Sequence, residues 1–150
     1  MNRVQFSGKL ICPIGHPVKN RIVQVKVDDG SLGDAGLSLT LAQNFCTWEG
    51  LQLGGQKVTQ SVITGIGPSF SDKTWSAEGY DFGTLANGDH YLAQWKEKGD
   101  SRTTKGTWKL LIGTGTLEGI IGEATFEEPA VQPGDTQAVG KVTGWYQLPR

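Results

Sequence analysis

The segment 105–128 constrains the fold more than any other part of the chain. The apolar residues Trp108, Leu110 and Ile112 recur at every second position, a period of two that is typical of a strand with one apolar face. Glycines then interrupt the pattern, and a period of two resumes up to Phe126. A strand, a glycine-rich turn and a second strand indicate a β-barrel whose interior could hold a ligand. No residue cluster in the segment points to a particular reaction.

Composition supports an all-β chain. The 150 residues include 22 glycines, which are unfavourable inside helices and common in tight turns. Only 37% of the residues are apolar, a low share for a helical protein. The length suffices for one core, so we expect a single β-barrel domain spanning residues 1–150.

Nine segments alternate in the manner of strands, and short turns join nearly all of them. The strongest turn signal is Asn87-Gly88, because both residue types tolerate positive φ in a hairpin. The third candidate strand, which begins at 37 and continues through 44–48, also fits a short helix. Sequential strands with short turns predict an antiparallel up-and-down β-barrel of about eight strands, which removes exposed sheet edges; a flat sandwich is the alternative. The candidate strands are 3–12, 21–28, 37–41, 56–67, 74–84, 90–98, 105–113, a strand around 124–126, and 137–148.

Charge and hydropathy argue against two classes of partner. The formal net charge is −1, so the chain has no general attraction to nucleic acid or to an anionic membrane. No apolar run approaches membrane-spanning length, and the first residues do not form the apolar core of a signal peptide. We therefore expect a cytoplasmic protein, or a secreted one if a signal peptide has been removed.

The two cysteines, Cys12 and Cys46, do not form a Cys-x-x-Cys pair, so nothing indicates a zinc or redox site. A chain without an export signal favours two reduced, buried thiols. A disulfide between neighbouring strands is the alternative, and spacing alone does not decide between the two states.

The part of the chain from Asn87 to Phe126 resembles a known group of barrels. It combines Asn87-Gly88-Asp89, an aromatic strand, Gly106-Thr107-Trp108 and a glycine-rich segment, 113–126. This pattern is similar to the allene oxide cyclase barrel-like group, which includes dirigent-like proteins; the bacterial spirotetronate cyclases share the general barrel form. The resemblance implies a barrel with a central ligand cavity, and it raises the hypothesis of a cofactor-free cyclase or isomerase. It carries over no catalytic residue.

Glu78 and Tyr80 form the best acid–base pair that the sequence offers. They lie two residues apart and therefore on one face of a strand. If that face lines the cavity, the carboxyl could transfer a proton and the tyrosine could donate a hydrogen bond to a substrate oxygen, so we assign both as candidate catalytic residues. The alternative, which the pattern favours, is that the small residues Ala77 and Gly79 line the interior and Glu78 faces water.

Four aromatic side chains fall on strand faces that we expect to point inward: Tyr91, Trp95, Trp108 and Tyr146. Large aromatics fill a barrel core or line an apolar ligand pocket. A barrel of about eight strands accommodates both outcomes. We predict that these four residues bind a hydrophobic small molecule. A filled core in a structural or assembly module is the alternative.

Two turn-rich segments differ from the ligand loops that they resemble. Gly113-Thr114-Gly115 lacks the third glycine of the dinucleotide-binding fingerprint, since Glu118 stands there, and no β-α-β unit surrounds it. The turn at 28–34 lacks the closing glutamate of a calcium loop. Its three aspartates are Asp28, Asp29 and Asp34.

The histidines and basic residues do not indicate a catalytic or nucleic-acid site. His16 sits among turn residues, and His90 lies on the strand face opposite the aromatics. We therefore expect neither a metal site nor a cofactor. The basic residues near the 99–102 turn lie opposite Trp95 and Trp108, so they cannot form one base-stacking platform with them.

Trp48 and Trp145 fall outside the expected inward set. Exposed tryptophan is unfavourable in a monomer and common at interfaces, so we expect the chain to form a homo-oligomer.

The sequence thus predicts a small-molecule-binding β-barrel with an apolar central cavity. A cofactor-independent cyclase or isomerase is the enzymatic form of this hypothesis. Such an enzyme needs few catalytic groups, because holding a flexible substrate in a reactive conformation can lower a barrier by about 7–11 kcal/mol.

Overall fold

Strands make up nearly all of the structure. The computed structural model describes residues 2–14, 21–26, 38–70 and 72–150, with the backbone alone for 21–26 and 38–40. His16 and the aspartates at 28, 29 and 34 lie outside the described residues. The strands are β1 (Val4–Pro13), β2 (Arg21–Lys26), β3 (Ser38–Glu49), β4 (Gln52–Leu53), β5 (Gln56–Ser69), β6 (Trp75–Leu85), β7 (His90–Gly99), β8 (Thr103–Gly113), β9 (Ile121–Pro129) and β10 (Gln137–Gln147).

Eight of these strands close into an antiparallel barrel. From β5 to β10 each strand pairs with the next in sequence, and β10 pairs with β1. The ring closes through β3, which pairs with β5 over 38–46 and with β1 over 47–49. β2 pairs with the first half of β3. The antiparallel up-and-down barrel expected from the sequence is confirmed, and the flat sandwich is excluded.

Local sequence signals account for most of the turns. The Asn87-Gly88 hairpin forms as predicted: Gly88 has a φ of +89°, and Thr84 pairs with His90 across the turn. The short hairpin between β4 and β5 was not predicted. Its two turn residues, Gly54 and Gly55, have φ values of +58° and +77°, as a type I′ turn requires. The segment 44–48 is part of β3, so the short helix considered for it is wrong.

One end of the barrel is closed by a small apolar plug. The β4–β5 hairpin and a 3-10 turn, Gly115–Leu117, lie across this end. The hydroxyl of Tyr146 accepts a hydrogen bond from the backbone N–H of Gly54 at 3.2 Å and ties the hairpin to β10. Four apolar side chains form the plug, each at most 1% exposed: Leu51, Leu53, Leu117 and Ile120.

Two β-bulges change which side chains face inward. In β5 the register shifts between Val58 and Gln60, so that Ser61 and Ile63 face the interior while Val62 faces out. In β8 an extra residue breaks the alternation after Leu110. Ile112 is therefore 59% exposed, and its predicted place on the apolar face with Trp108 and Leu110 is wrong.

The two tryptophans expected outside the barrel lie on opposite sides of its wall. Trp48 is buried, and its indole N–H donates to Oγ of Ser61 at 2.7 Å, so its predicted exposure is wrong. The reason is that 44–48 continues the alternation of β3 and turns Trp48 inward. Trp145 lies on the outer face, where the guanidinium of Arg3 sits 4.0 Å from its ring centroid.

Cys12 and Cys46 form a disulfide, which corrects the expectation of two reduced thiols. The bridge joins β1 to β3 next to their paired residues, with the two Cα atoms 4.4 Å apart. The sequence argument rested on compartment and could not know that these strands are neighbours. The disulfide therefore crosslinks the seam at which the barrel closes.

We predict that reducing this disulfide lowers the free energy of unfolding. The bridge spans 34 residues of sequence, and in the chain-entropy model closing a loop of that size contributes about 3–4 kcal/mol. Urea unfolding of the wild type with and without reductant measures the difference. The Cys12→Ala/Cys46→Ala variant is the control, and reductant should not affect it. Alkylation of both thiols in unfolded, unreduced protein would contradict the prediction.

Candidate functional site

A cavity of about 270 Å³ occupies the half of the barrel away from the plug. All eight barrel strands contribute to its lining, whereas none of the plug side chains reaches it. A buried apolar cavity of about 150 Å³ is large enough for benzene. This cavity therefore has room for an aromatic ring with a short chain. Five aromatic side chains stand in its wall: Trp48, Trp75, Trp95, Trp108 and Phe126.

Glycines on the inner face explain why the aromatic rings leave space between them. A Cβ atom placed at Gly65 would overlap the indole of Trp95, so that ring packs directly against the bare backbone of the wall. A ring held in this way does not fill the centre of the barrel. Three such pairs involve aromatic side chains of the cavity wall: Gly65–Trp95, Gly99–Trp75 and Gly106–Phe126. A fourth, Gly83–Tyr91, involves a ring that does not line the cavity.

A buried hydrogen-bond network crosses the interior beside the cavity. Oδ2 of Asp81 accepts hydrogen bonds from the hydroxyl of Tyr91 at 2.9 Å and from the indole N–H of Trp108 at 3.0 Å. The Tyr91 hydroxyl also lies 3.0 Å from Oγ of Ser61. Ser61 in turn accepts from the indole of Trp48. Asp81 and Ser61 are at most 1% exposed, and the network fixes the orientation of Asp81.

Asp81 is the buried acid of this network. Burial raises the pKa of its carboxyl to about 6, while the nearby hydroxyl of Ser61 and the hydrogen bonds from Trp108 and Tyr91 act in the opposite direction. Its second oxygen, Oδ1, has no hydrogen-bond partner among the described residues. A carboxyl at the cavity wall with one free oxygen and a pKa near neutrality can accept a hydrogen bond or transfer a proton.

Two further carboxyl groups line the cavity, those of Glu97 and Glu128. They stand on β7 and β9, on either side of β8. Burial, and then the negative charge of Glu128, raise the pKa of Glu97 to about 8. Burial also raises the pKa of Glu128. We refer to Glu97 and Glu128 together as the acidic rim, because both are only half-buried, whereas Asp81 is fully buried.

The four predicted ligand-binding aromatics are all buried, but they divide between two places. Trp95 and Trp108 line the cavity. Tyr91 and Tyr146 do not: the Tyr91 hydroxyl is occupied by Asp81 and Ser61, and that of Tyr146 by the Gly54 amide. The structure therefore brings only two of the four to the candidate site.

Glu78 and Tyr80 lie on the outer face of β6, so the condition on which their catalytic assignment rested, that this face lines the cavity, is not met. Both are exposed, Tyr80 by 48%, and neither lines the cavity. The reason is the alternation of β6, in which Ala77 and Gly79 take the inward positions. The alternative favoured by the sequence pattern is the one observed. His90 also lies on an outer face, where its ring stacks on that of Phe82 with the ring centroids 4.8 Å apart.

Sequence reasoning missed all three cavity carboxyls, although the necessary signal was present. Asp81 continues the inward alternation of Ala77 and Gly79 by one more step, and Glu97 continues that of Trp95. Neither alternation was followed as far as these residues in the sequence analysis. Extending each alternation to the end of its strand would have placed them inside.

Two kinds of feature are not found in the part of the chain that the structure describes. No three His, Cys, Asp or Glu side chains are arranged there to hold a metal ion. Within the same ranges no helix has the length and apolar character needed to span a membrane.

The barrel is similar to the barrels of dirigent proteins. The pterocarpan synthase dirigent protein PsPTS1 aligns with a TM-score of 0.57 and 11% identity, over 99% of this chain and 97% of its own. The pterocarpan synthase dirigent protein GePTS1 aligns with a TM-score of 0.53 and 13% identity, over 99% of this chain and 89% of its own. No family model and no curated protein sequence matches the chain. The dirigent-like barrel expected from the sequence is confirmed at the level of fold.

We predict that Asp81 makes the folded protein less stable as the pH rises from about 4 to 6. Its pKa is about 6 when folded and 3.8 ordinarily, so the folded state binds more protons in this window and loses stability as they leave. The effect is on the order of 3 kcal/mol. In Asp81→Asn this contribution should disappear from urea unfolding curves recorded across the window. Glu78→Gln, on the exposed face, should keep the wild-type slope, and an unchanged slope in Asp81→Asn would contradict the prediction.

Proposed function

We propose that the protein is a single-domain β-barrel that binds a hydrophobic small molecule in the aromatic-walled cavity. The observation that carries this proposal is the contrast between the two halves of one interior. The plug half is packed with aliphatic side chains, whereas the other half leaves about 270 Å³ between aromatic rings. Apolar cavities with a few polar groups are typical of small-molecule sites.

We predict that filling the cavity abolishes binding. Ala77 lines it and is small, so Ala77→Leu places three additional carbon atoms in the space that a ligand would occupy. Binding of 1-naphthylamine, a small uncharged dye whose fluorescence changes in apolar surroundings, should weaken at least tenfold, about 1.4 kcal/mol. Fluorescence titration measures the affinity, and native mass spectrometry of the freshly purified wild type tests for a retained ligand.

Glu78→Gln and Tyr80→Phe are matched controls for this experiment, because both residues lie outside the cavity on the same strand as Ala77. They should bind the dye as the wild type does. Absence of dye binding by the wild type, with no retained ligand, would overturn the proposal and favour a structural or assembly module.

A second candidate function is a cofactor-free cyclase or isomerase acting in the same cavity. Asp81 favours it, because its free oxygen, its deep burial and its raised pKa suit a group that transfers a proton in an apolar site. The names of the two similar dirigent proteins include a synthase activity, which supports the hypothesis by fold analogy alone. Asp81 takes over here the acid–base role that the sequence had assigned to Glu78 and Tyr80.

We predict that, if the barrel is an enzyme, Asp81→Asn abolishes turnover and leaves ligand affinity within a few-fold of wild type. The molecule recovered from the wild-type protein would be incubated with each variant, and products would be followed by chromatography coupled to mass spectrometry. Conversion by wild type and by Asp81→Asn at equal rates would remove Asp81 from the mechanism. No conversion by either protein would identify a binding protein.

Four expectations from the sequence stay predictions. They are the closer relationship to allene oxide cyclase and the spirotetronate cyclases, the absence of a cofactor, self-association and the cytoplasmic location. A row of neighbouring apolar side chains on the outer face favours self-association, which sedimentation velocity would test. The row consists of Val62, Phe82, Leu92 and Ile112. The Cys12–Cys46 disulfide weighs against the cytoplasm, because such bridges persist mainly in oxidising compartments.

A further inference from the structure

The cavity has an unbalanced charge. Among the described residues that line it, Asp81, Glu97 and Glu128 carry carboxyl groups, and none is a lysine, arginine or histidine. The lysines next to Glu97 in sequence, Lys96 and Lys98, are exposed on the opposite face of β7. The described lining residues therefore contribute a negative potential to the cavity whenever these carboxyls are ionised.

Among the described residues, the two carboxyls of the acidic rim have no partner that compensates their charge. Neither Glu97 nor Glu128 makes a side-chain hydrogen bond or an ion pair with another described residue. Oε2 of Glu128 lies 3.6 Å from where a Cβ of Gly140 would be, so it lies over a bare stretch of β10. Partly buried acids without a cation are unfavourable, and a positively charged ligand would relieve that cost.

We propose that the ligand of this barrel is a hydrophobic organic cation, such as an aryl-alkyl amine, whose charged group faces the acidic rim while its ring lies among the tryptophans. The inference rests on the proposed binding function and names the chemical class of the ligand. Aromatic faces attract cations as well as apolar groups, so the wall and the rim select for the same molecule. Trp75, Trp95 and Phe126 line the cavity together with Glu97 and Glu128.

Two buried polar atoms in the same cavity wall point independently to a ligand. The indole N–H of Trp95 is without a hydrogen-bond partner among the described residues, although Trp95 is only 8% exposed. Oδ1 of Asp81 is unpartnered in the same way at 1% exposure. Buried donors and acceptors are nearly always satisfied in folded proteins, so both atoms are open to a ligand: Oδ1 of Asp81 can accept from an ammonium group, whereas the indole N–H of Trp95 needs an acceptor that an ammonium group does not supply.

The arrangement suits an organic cation better than a metal ion. Hard metal ions such as Ca²⁺ and Mg²⁺ take six or more oxygen ligands that surround one point. The three cavity carboxyls, by contrast, do not form a cluster that could hold a metal ion. An ammonium group with an apolar body needs only one or two nearby carboxylates, and its body fills the space that a metal ion would leave empty.

Binding of such a cation is coupled to release of a proton. Burial and Glu128 raise the pKa of Glu97 to about 8, so Glu97 is mostly protonated at pH 7 in the empty barrel. The charged groups that share the cavity with Glu97 are Glu128 on β9 and Asp81 on β6, both acids. A bound ammonium favours the ionised form of Glu97. The affinity of the barrel for the ammonium ligand should therefore rise with pH by up to roughly tenfold per pH unit below about pH 8.

Three probes of nearly equal size and different charge test the proposal: 2-phenylethylamine, 2-phenylethanol and 3-phenylpropanoate. Titration calorimetry at pH 8 should give an affinity for the amine at least tenfold above that for the alcohol, and the weakest binding for the carboxylate. Repeating the amine titration in buffers of different ionisation enthalpy at pH 7 should show proton release. The affinity for the amine should also fall between pH 8 and pH 6, while that for the alcohol stays constant.

Variants assign the preference to the acidic rim. Glu97→Gln/Glu128→Gln should lose the preference for the amine and keep the affinity for the alcohol, which also shows that the variant is folded. Glu78→Gln removes an exposed carboxyl and should behave as wild type. Equal or tighter binding of the alcohol by the wild type overturns the cation proposal. So does binding of the uncharged dye with no binding of the amine, and in both cases the proposed binding function stands. Failure of the dye and of all three probes overturns both.

Discussion

The pairing of β3 along both edges is the constraint on which the rest of the structure depends. Backbone hydrogen bonds join β3 to β5 over 38–46 and to β1 over 47–49, and only this double pairing turns a row of strands into a ring. Without it, the sheet would have two long open edges and no enclosed interior. The Cys12–Cys46 bridge lies at the same seam, so covalent and hydrogen-bonded closure occur at one place.

Closure creates an interior that the sequence fills unevenly. Toward the plug, aliphatic side chains and Tyr91 pack the space, with Tyr91 edge-on to Trp108 at a centroid distance of 5.5 Å. Toward the other end, tryptophan rings pack against glycines of the barrel wall and leave the space between the rings open. The Asp81 network lies between the two regions. Oδ2 of Asp81 accepts hydrogen bonds within this network, whereas Oδ1 has no hydrogen-bond partner among the described residues. Asp81 therefore belongs both to the packed half and to the cavity wall.

The sequence predicted the architecture well because that architecture follows from local periodicity. Hydrophobic alternation located nearly all strands, and Asn87-Gly88 located one hairpin. Periodicity failed where a strand carries an extra residue: the bulge after Leu110 sends Ile112 outward, and no composition signal marks it. The disulfide could not be predicted either, since it depends on which strands become neighbours after the ring closes.

The site was harder to predict for a different physical reason. Whether an aromatic residue lines a cavity or fills a core depends on what stands opposite it, and that is a property of several strands at once. Trp95 borders open space because Gly65, two strands away, lets it lie against the wall. Asp81 and Glu97, by contrast, follow the inward alternation of their strands, so their positions are predictable from periodicity alone.

Trp95 packs against Gly65 and Trp75 packs against Gly99. The shape of the cavity therefore depends on the two glycines beneath these rings. One methyl group added at either glycine would push an indole toward the barrel axis and reshape the lumen. The atom causing this change would itself remain hidden beneath the ring. A substitution at Gly99, which is not part of the cavity lining, would therefore change the shape of the cavity from a position outside it.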